Sequence, residues 1–324
     1  MNILVTGGVG YIGGFMVKQL LDQGDVVVVL DSLERSRRDQ LDSRAVLAEG
    51  SLLDQDFVKQ VFANYSPEAV IHFAGYISVP ESVQRPELYF SHNVTGTLVL
   101  LDQMVKSGVG KIIFSSSAAV YGSPKQIPIP EDHPKAPESP YGESKLMVER
   151  IIEWYGKAHG FRSVALRYFN AAGAALDGTR GEAHAVEGHI IPLAITACLN
   201  NRPFKLFGDD YSTKDGTCVR DYIHVLDLVQ AHLLALKKIE SSEGNFAYNV
   251  GTGKGYSNQE IVDMVKMVSQ KDLVTTIEPR RPGDPAELVA QVDKIKEELG
   301  FSPQYSDLET IISSAWKWHA KSNI

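Results

Sequence analysis

An α/β fold, a doubly wound parallel sheet with a smaller, discontinuous C-terminal domain, is predicted from three features of this 324-residue chain. Apolar runs alternate with helical patterns through the first half, a glycine-rich turn follows the first run, and loops rich in Gly, Asp and Pro dominate after Tyr168. The runs Ile3–Thr6, Val26–Asp31, Ala45–Leu47, Ala69–Phe73, Lys111–Ser115 and Ser163–Tyr168 have strand length and β-branched content. Between them Tyr11–Gln23, Gln55–Phe62 and Glu87–Lys106 have helical length, and right-handed crossovers place such helices on both sheet faces. Loops at Ala174–Gly188, Gly208–Gly216 and Pro279–Pro285 mark the smaller domain, while the helical Val225–Ile239 and strand-like Phe246–Val250 return the chain to the first. The boundaries read from this pattern are 1–169 plus about 217–250 for the first domain and about 170–216 plus 251–324 for the second.

Composition restricts the function classes. A 44% hydrophobic content supports a sizeable core, and a net charge of −8 argues against a nucleic-acid surface. No apolar run approaches the roughly 18 residues of a membrane span, and Met1–Thr6 runs straight into a strand pattern without a basic leader, so a cytoplasmic location is expected. Cys198 and Cys218 have neither CxxC spacing nor a metal-ligating cluster beside them, so reduced thiols and no metal are expected.

The first strand ends in Thr6-Gly7-Gly8-Val9-Gly10-Tyr11-Ile12-Gly13, a GxxGxxG turn into a helix. Glycines there let the backbone approach a pyrophosphate while the helix N-terminus binds it, the signature of a Rossmann-type dinucleotide site. Asp31 closes the second strand, where a carboxylate accepts both adenosine ribose hydroxyls and repels a 2'-phosphate, so NAD is favoured over NADP. Arg35, Arg37 and Arg38 could hold such a phosphate, but they also suit a solvated basic turn. Phe73-Ala74-Gly75 puts small residues at the carboxyl edge of the sheet, where a dinucleotide lies.

Tyr141 and Lys145 stand at i and i+4 on one helix face. A YxxxK match alone is weak in a chain with 13 tyrosines, and Tyr121–Lys125 supplies a second. The second contains Gly122 and Pro124, whereas Tyr141 follows Ser139-Pro140, an N-cap and N1 pair, so only Tyr141 begins a helix. A free phenol titrates near 10. The Lys145 ammonium, the helix N-terminus and an oxidised nicotinamide ring are expected to lower it. Ser117 closes Phe114-Ser115-Ser116-Ser117, where its hydroxyl can bond the same substrate oxygen.

With these residues the chain resembles the extended short-chain dehydrogenase/reductases and, within them, the UDP-glucose 4-epimerases. The similarity extends through Asn93-Val94-Thr95-Gly96-Thr97, Arg167-Tyr168-Phe169-Asn170, the run Asp215–Val225 containing Arg220-Asp221-Tyr222, and Arg280-Arg281-Pro282-Gly283-Asp284. It implies a catalytic set of Ser117, Tyr141 and Lys145. It implies cofactor contacts from Gly7, Gly10, Tyr11, Ile12, Gly13, Asp31, Ser51, Leu52, Phe73, Ala74, Gly75, Asn93, Ser115, Tyr141, Lys145 and Tyr168. The second domain becomes a nucleotide-sugar-binding domain, with Asn170, His189, Ile190, Lys205, Phe207, Arg220, Tyr222, Arg281, Asp284 and Leu288 joining Ser117 and Tyr141 at the substrate. The arginine pair suits a diphosphate by geometry.

The implied reaction interconverts UDP-glucose and UDP-galactose by inversion at C4 through a transient 4-keto sugar and enzyme-bound NADH, in a homodimer built on the helices Glu87–Lys106 and Tyr141–His159. Four positions depart from the commoner pattern: Ser51 replaces an acidic residue, Ile77 a lysine, His189 an asparagine and Leu288 a tyrosine. The shorter Leu288 implies that 2-acetamido sugars also enter. A 4,6-dehydratase is the nearest alternative, but Ala118-Ala119 follow Ser117 where dehydration needs carboxylates. A non-catalytic NAD-sensing regulator is a further alternative, disfavoured by the joint presence of Ser117, Tyr141 and Lys145.

Overall fold

The structure, a computed structural model, describes residues 1–184, 187–281 and 283–322. Its strands in chain order are β1 (Asn2–Thr6), β2 (Val26–Asp31), β3 (Val46–Glu49), β4 (Ala69–His72), β5 (Lys111–Ser117), β6 (Arg162–Tyr168) and β7 (Asn170–Ala172). They continue with β8 (Phe204–Phe207), β9 (Val219–His224), β10 (Asn245–Val250), β11 (Gly255–Ser257), β12 (Thr275–Glu278) and β13 (Glu287–Leu288). Two compact units are formed, one from 1–122, 134–167 and 229–248, the other from 123–133, 168–228 and 249–322.

A seven-stranded sheet of order β10-β6-β5-β4-β1-β2-β3 organises the first unit. Its strands are near-continuous apolar runs because both faces are covered; Ile3, Leu4 and Val5 of β1 are wholly buried. β1 pairs in parallel with β2 on one side and β4 on the other. That is the point where strand order reverses, and the loops leaving β1 and β4 there open a crevice at the carboxyl edge. Leu4, Val70 and Ile112 on the sheet meet Leu100, Leu101 and Met104 from the Gly96–Lys106 helix in one apolar cluster.

Several expected elements differ. The third strand lies at Val46–Glu49 rather than Ala45–Leu47, since its register is set by pairing Val46 with Val28 and Glu49 with Asp31. β5 runs two residues further, to Ser117. Glu87–Lys106 is not one helix: Pro86–Tyr89 and Gly96–Lys106 are α-helical and Phe90–Thr95 between them is π-helical. A π-turn carries an extra residue per turn and re-aims a side chain. Here Asn93 clasps the Tyr76 backbone, accepting from its N–H at 2.8 Å and donating to its carbonyl at 3.1 Å.

In the second unit β9 pairs with β7, β11 and β13, and β8 pairs with β12. The segment 219–224 thus belongs to this unit's sheet, unlike the 217–250 assignment read from the sequence, because Asp221 ties it there. That buried carboxylate accepts from the backbone N–H groups of Thr252, Gly253 and Ala290 and from the Thr252 hydroxyl. Helices Ile190–Leu199, Asn258–Ser269 and Leu308–Ser322 form the unit's core through Ile195, Ile261, Val265, Ile311 and Ile312. A capping box between Ser257 and Glu260 starts the middle helix.

Candidate active site

The glycine turn is shaped for close approach. Gly7 has φ +68°, and a Cβ on it would lie 2.7 Å from the Ala74 backbone nitrogen; one on Gly13 would lie 2.3 Å from the Gly7 carbonyl. Side chains at either position would push apart the β1 and β4 loops or lift the helix off its turn. Gly10 is the N-cap of the Tyr11–Asp22 helix, whose first turn has no acidic side chain. The positive end of the helix faces the turn with no acidic side chain of its own first turn, which suits a pyrophosphate. Tyr11 packs edge-on against Phe15, and Ile12 is half-buried beside it.

Asp31 fixes the far side of this cradle. Its Oδ2 accepts from the Val9 N–H at 3.0 Å, and Oδ1 accepts from the Leu33 N–H and the Ser36 hydroxyl, each at 2.9 Å. The three nearby arginines are engaged: Arg35 with Glu81 at 2.8 Å, Arg37 with Asp39 and Arg38 with Glu49. A turn whose cations already face carboxylates is poorly arranged for a 2'-phosphate, which agrees with NAD. Ser51 accepts from the Leu53 N–H at 3.1 Å, and Leu52 is buried in the apolar cluster. From β4, the Phe73 and Ala74 N–H groups both donate to the Thr6 carbonyl, and the Phe73 ring lies 4.8 Å from that of His232. Gly75 brings the backbone against the Asn93 carboxamide and toward the Lys145 ammonium. Tyr168 ends β6, half-buried.

The serines at the end of β5 have separate tasks. Ser115 gives its carbonyl to Lys145 Nζ at 2.8 Å, while its hydroxyl meets His232 Nε2 at 3.2 Å. Ser116 points to the other face and donates to Glu149 at 2.5 Å. Glu149 in turn holds Arg167 in a buried two-pronged pair at 2.9 and 2.7 Å. Ser117 accepts from the Ala119 N–H at 3.2 Å, and its side chain draws the pKa of the neighbouring Tyr141 phenol downward.

Tyr141 is the second residue of the Pro140–His159 helix, capped by Ser139, whose hydroxyl accepts from the Gly142 N–H at 3.1 Å. Its ring packs edge-on to Tyr89, with centroids 6.5 Å apart. Asn93 secures the same turn by donating to Ser144 at 3.0 Å, and Ser144 donates to the Tyr141 carbonyl at 2.7 Å. The competing match is structural. Tyr121 is wholly buried and accepts from Arg167 at 3.0 Å, and no helix joins it to Lys125.

The electrostatics correct one expectation. Burial pushes the Tyr141 phenol above its ordinary value, and the Ser117 hydrogen bond only partly offsets this. Burial also lowers the Lys145 ammonium's own pKa to about 8, which still leaves it charged at neutral pH. Its nitrogen stands 5.9 Å from the phenol ring centre. Of the three positive influences expected, the oxidised nicotinamide is the one that the protein alone does not supply.

The second unit gathers another set. Asp284 bridges two arginines, at 3.0 Å to Arg220 and 2.7 Å to Arg281. The Arg281 guanidinium lies over the Phe207 ring at 5.3 Å. Arg220 pairs with neither of its sequence neighbours Asp221 and Asp227, which are occupied with backbone groups. Leu288 of β13 is Arg220's partner in register, and Asn170 donates to the Asp221 carbonyl at 3.1 Å. Tyr222 is buried, which raises its pKa. Lys205 shares a strand face with Phe207 but is exposed and paired with Glu278 at 3.1 Å, apart from the arginine cluster. His189 caps the helix that Ile190 begins, and its Nδ1 lies 2.5 Å from Glu182. Sequence reasoning missed the supports: Glu149, Arg167, Asp221, and His72, which is held between Thr6 at 2.6 Å and Thr97 at 2.8 Å.

Residues 3–251 match the model of the NAD dependent epimerase/dehydratase family. The chain belongs to that family. It is 47% identical over 320 residues to a UDP-glucose 4-epimerase of Lacticaseibacillus casei, covering 98% of this chain and 97% of that protein. The UDP-glucose 4-epimerase of Brucella ovis, solved in complex with NAD, superposes with a TM-score of 0.94 at 44% identity, covering 97% of each chain. The UDP-Glc/GlcNAc 4-epimerase of Campylobacter jejuni superposes at 0.86 with 38% identity, covering 98% of this chain and 99% of that one.

Lys145 titrates lower in the folded than in the unfolded chain, so between about pH 8 and 10.5 the folded state binds fewer protons. The buried ammonium therefore costs stability at pH 7, and this cost fades as pH rises through that window. Nucleotide-free Lys145→Met is expected to be more stable than the parent at pH 7 by roughly 1–3 kcal/mol, with the gap closing toward pH 10. Urea melts at pH 7, 8.5 and 10 read this; a gap that stays constant or widens contradicts the burial argument.

Proposed function

We propose that the chain is an NAD-dependent UDP-glucose 4-epimerase, interconverting UDP-glucose and UDP-galactose by inversion at C4. The observation that carries this reading is the convergence of Ser117, Tyr141 and Lys145 at the carboxyl end of β5. When bound, NAD supplies the acceptor and later the donor of a hydride at C4. Tyr141 takes the C4 hydroxyl proton and returns it to the carbonyl oxygen after the sugar has presented its other face. Ser117 holds that oxygen through its hydroxyl. Lys145, anchored on the Ser115 carbonyl, keeps positive charge near the phenol. Arg220 and Arg281 hold the diphosphate, pre-aligned by Asp284; Phe207 and Asn170 serve the same nucleotide sugar, as do His189, Ile190, Lys205, Tyr222 and Leu288. The cofactor residues named from the sequence, from Gly7 to Tyr168, take NAD. Ala118 and Ala119, in the turn after Ser117, offer no carboxylate for water elimination, which disfavours a dehydratase.

Three further features belong to this reading. The chain works as a homodimer, with its Glu87–Lys106 and Tyr141–His159 segments against the same segments of a second copy; Trp154, 65% exposed, lies on the latter. It works in the cytoplasm. The two buried free cysteines support that location, and no helix among the described residues is long and apolar enough to cross a membrane. It also accepts 2-acetamido sugars, because Leu288 is shorter than a tyrosine.

Tyr141→Phe is expected to lose at least about 100-fold in kcat while still binding NAD; near-normal turnover sinks the assignment. The parent is expected to epimerise UDP-N-acetylglucosamine, and Leu288→Tyr to suppress that reaction while sparing UDP-glucose. Absence of N-acetyl turnover in the parent disproves the wider range. Analytical ultracentrifugation should give twice the chain mass of 35.6 kDa; a monomer throughout excludes the dimer.

A further inference from the structure

We propose that Glu182, His184, Glu187 and His189 form a Zn2+ site in the second unit, separate from the NAD and catalytic residues. One ligand atom from each lies within 4.8 Å of those of the other three. His189 Nδ1 is 2.5 Å from Glu182 Oε1 and 3.5 Å from Glu187 Oε1; His184 Nδ1 is 3.2 Å from Glu182 Oε1 and 3.6 Å from Glu187 Oε2. A tetrahedral site with bonds of about 2.0–2.1 Å has ligand-to-ligand edges of roughly 3.4 Å. With Glu187 Oε2 as the ligand, the two His184 edges, 3.2 and 3.6 Å, are already near the required length, and the 2.5 Å His189–Glu182 pair would open by about 0.9 Å to admit the ion. Two imidazoles and two carboxylates carry a charge of −2 when the imidazoles are neutral, which a divalent ion cancels. The mixed nitrogen and oxygen set selects Zn2+ over the harder Mg2+ and Ca2+.

The surroundings hold the ligands without using their metal-facing atoms. The Trp318 indole N–H donates to the Glu182 carbonyl at 2.8 Å. Gly181 lies flat on the same indole, where a Cβ would come within 2.4 Å of the ring. Glu187 Oε1 accepts from the N–H groups of Gly188 and His189, both at 2.8 Å, leaving Oε2 toward His184. Backbone bonds to a ligating carboxylate are the kind of outer support that fixes a metal ligand. The ion would tie Glu182 and His184 to the start of the Ile190–Leu199 helix. With Nδ1 of His189 committed to it, Nε2 would remain for the substrate role proposed above, although the site itself does not depend on that role.

The sequence ExHxxExH carries this spacing in full. The expectation of no metal rested on the surroundings of the two cysteines, and this cluster contains none.

The test uses untagged full-length protein, stripped with a chelator and titrated with ZnCl2 by calorimetry, with retained zinc counted by mass spectrometry after desalting. One zinc per chain is expected, together with a higher Tm and, on Co2+ substitution, the strong visible absorption of a tetrahedral site. His184→Ala and the near-isosteric Glu187→Gln should each weaken binding by at least tenfold, since even outer-shell changes cost about 10–100-fold. No retained zinc, or unchanged affinity in both variants, overturns the proposal and leaves a hydrogen-bonded His–Glu network. If His184→Ala fails to fold, Glu187→Gln and the parent's Co2+ spectrum still decide.

Discussion

The first unit depends on burying a lysine. Lys145 is 3% exposed, its ammonium bonds one backbone carbonyl, and much of the neighbouring architecture keeps it there. β5 must run to Ser117 so that the Ser115 carbonyl faces the Pro140–His159 helix. The π-turn at Phe90–Thr95 must re-aim Asn93 so that the first turn of that helix is tied through Ser144. Phe114 places its ring 5.0 Å from the ammonium, and His72, stacked on Phe114, is kept neutral by burial, its pKa lowered to about 3. A neutral imidazole avoids placing a second cation beside the lysine. Stability given up at one side chain is thus held by an apolar and neutral-polar frame, as is common where function requires a desolvated charge.

The fold was legible where local pattern and tertiary demand agree. β1, β2, β4 and β6 are apolar because both sheet faces are covered, and the Ser139-Pro140 cap marks the start of the Pro140–His159 helix. Legibility failed where a long-range contact decides local geometry. Nothing in Phe90–Thr95 announces a π-turn; its cause is the Tyr76 backbone that Asn93 clasps. The run Asp215–Val225 carries the resemblance as one stretch, yet Asp221 secures β9 and His224 packs against Ser314 and Gly173, while Arg220 is bound into the Asp284 bridge. Motif density reports that residues are constrained and does not say by what.

Ser117, Tyr141 and Lys145 were legible as residue types, but their proton affinity was not. Spacing places Lys145 near Tyr141, and sequence arithmetic then assigns the phenol a lowered pKa. Burial opposes that shift, since desolvation raises the phenol's pKa and lowers the ammonium's. Depth is a tertiary property, and i,i+4 spacing is blind to it.

The alternation at the end of β5 bears on how such a site can change over time. Ser115 and Ser117 share one face of the strand, and Ser116 faces the Glu149–Arg167 pair on the other. Deleting or inserting one residue there would exchange the faces, sending a serine into the ion pair and the ion pair's partner toward Tyr141 and Lys145. Lineages carrying this strand end can explore new chemistry by swapping side chains, but a one-residue length change is closed to them. Variation in length is expected instead in the loops of the second unit, where no period of two has to be kept.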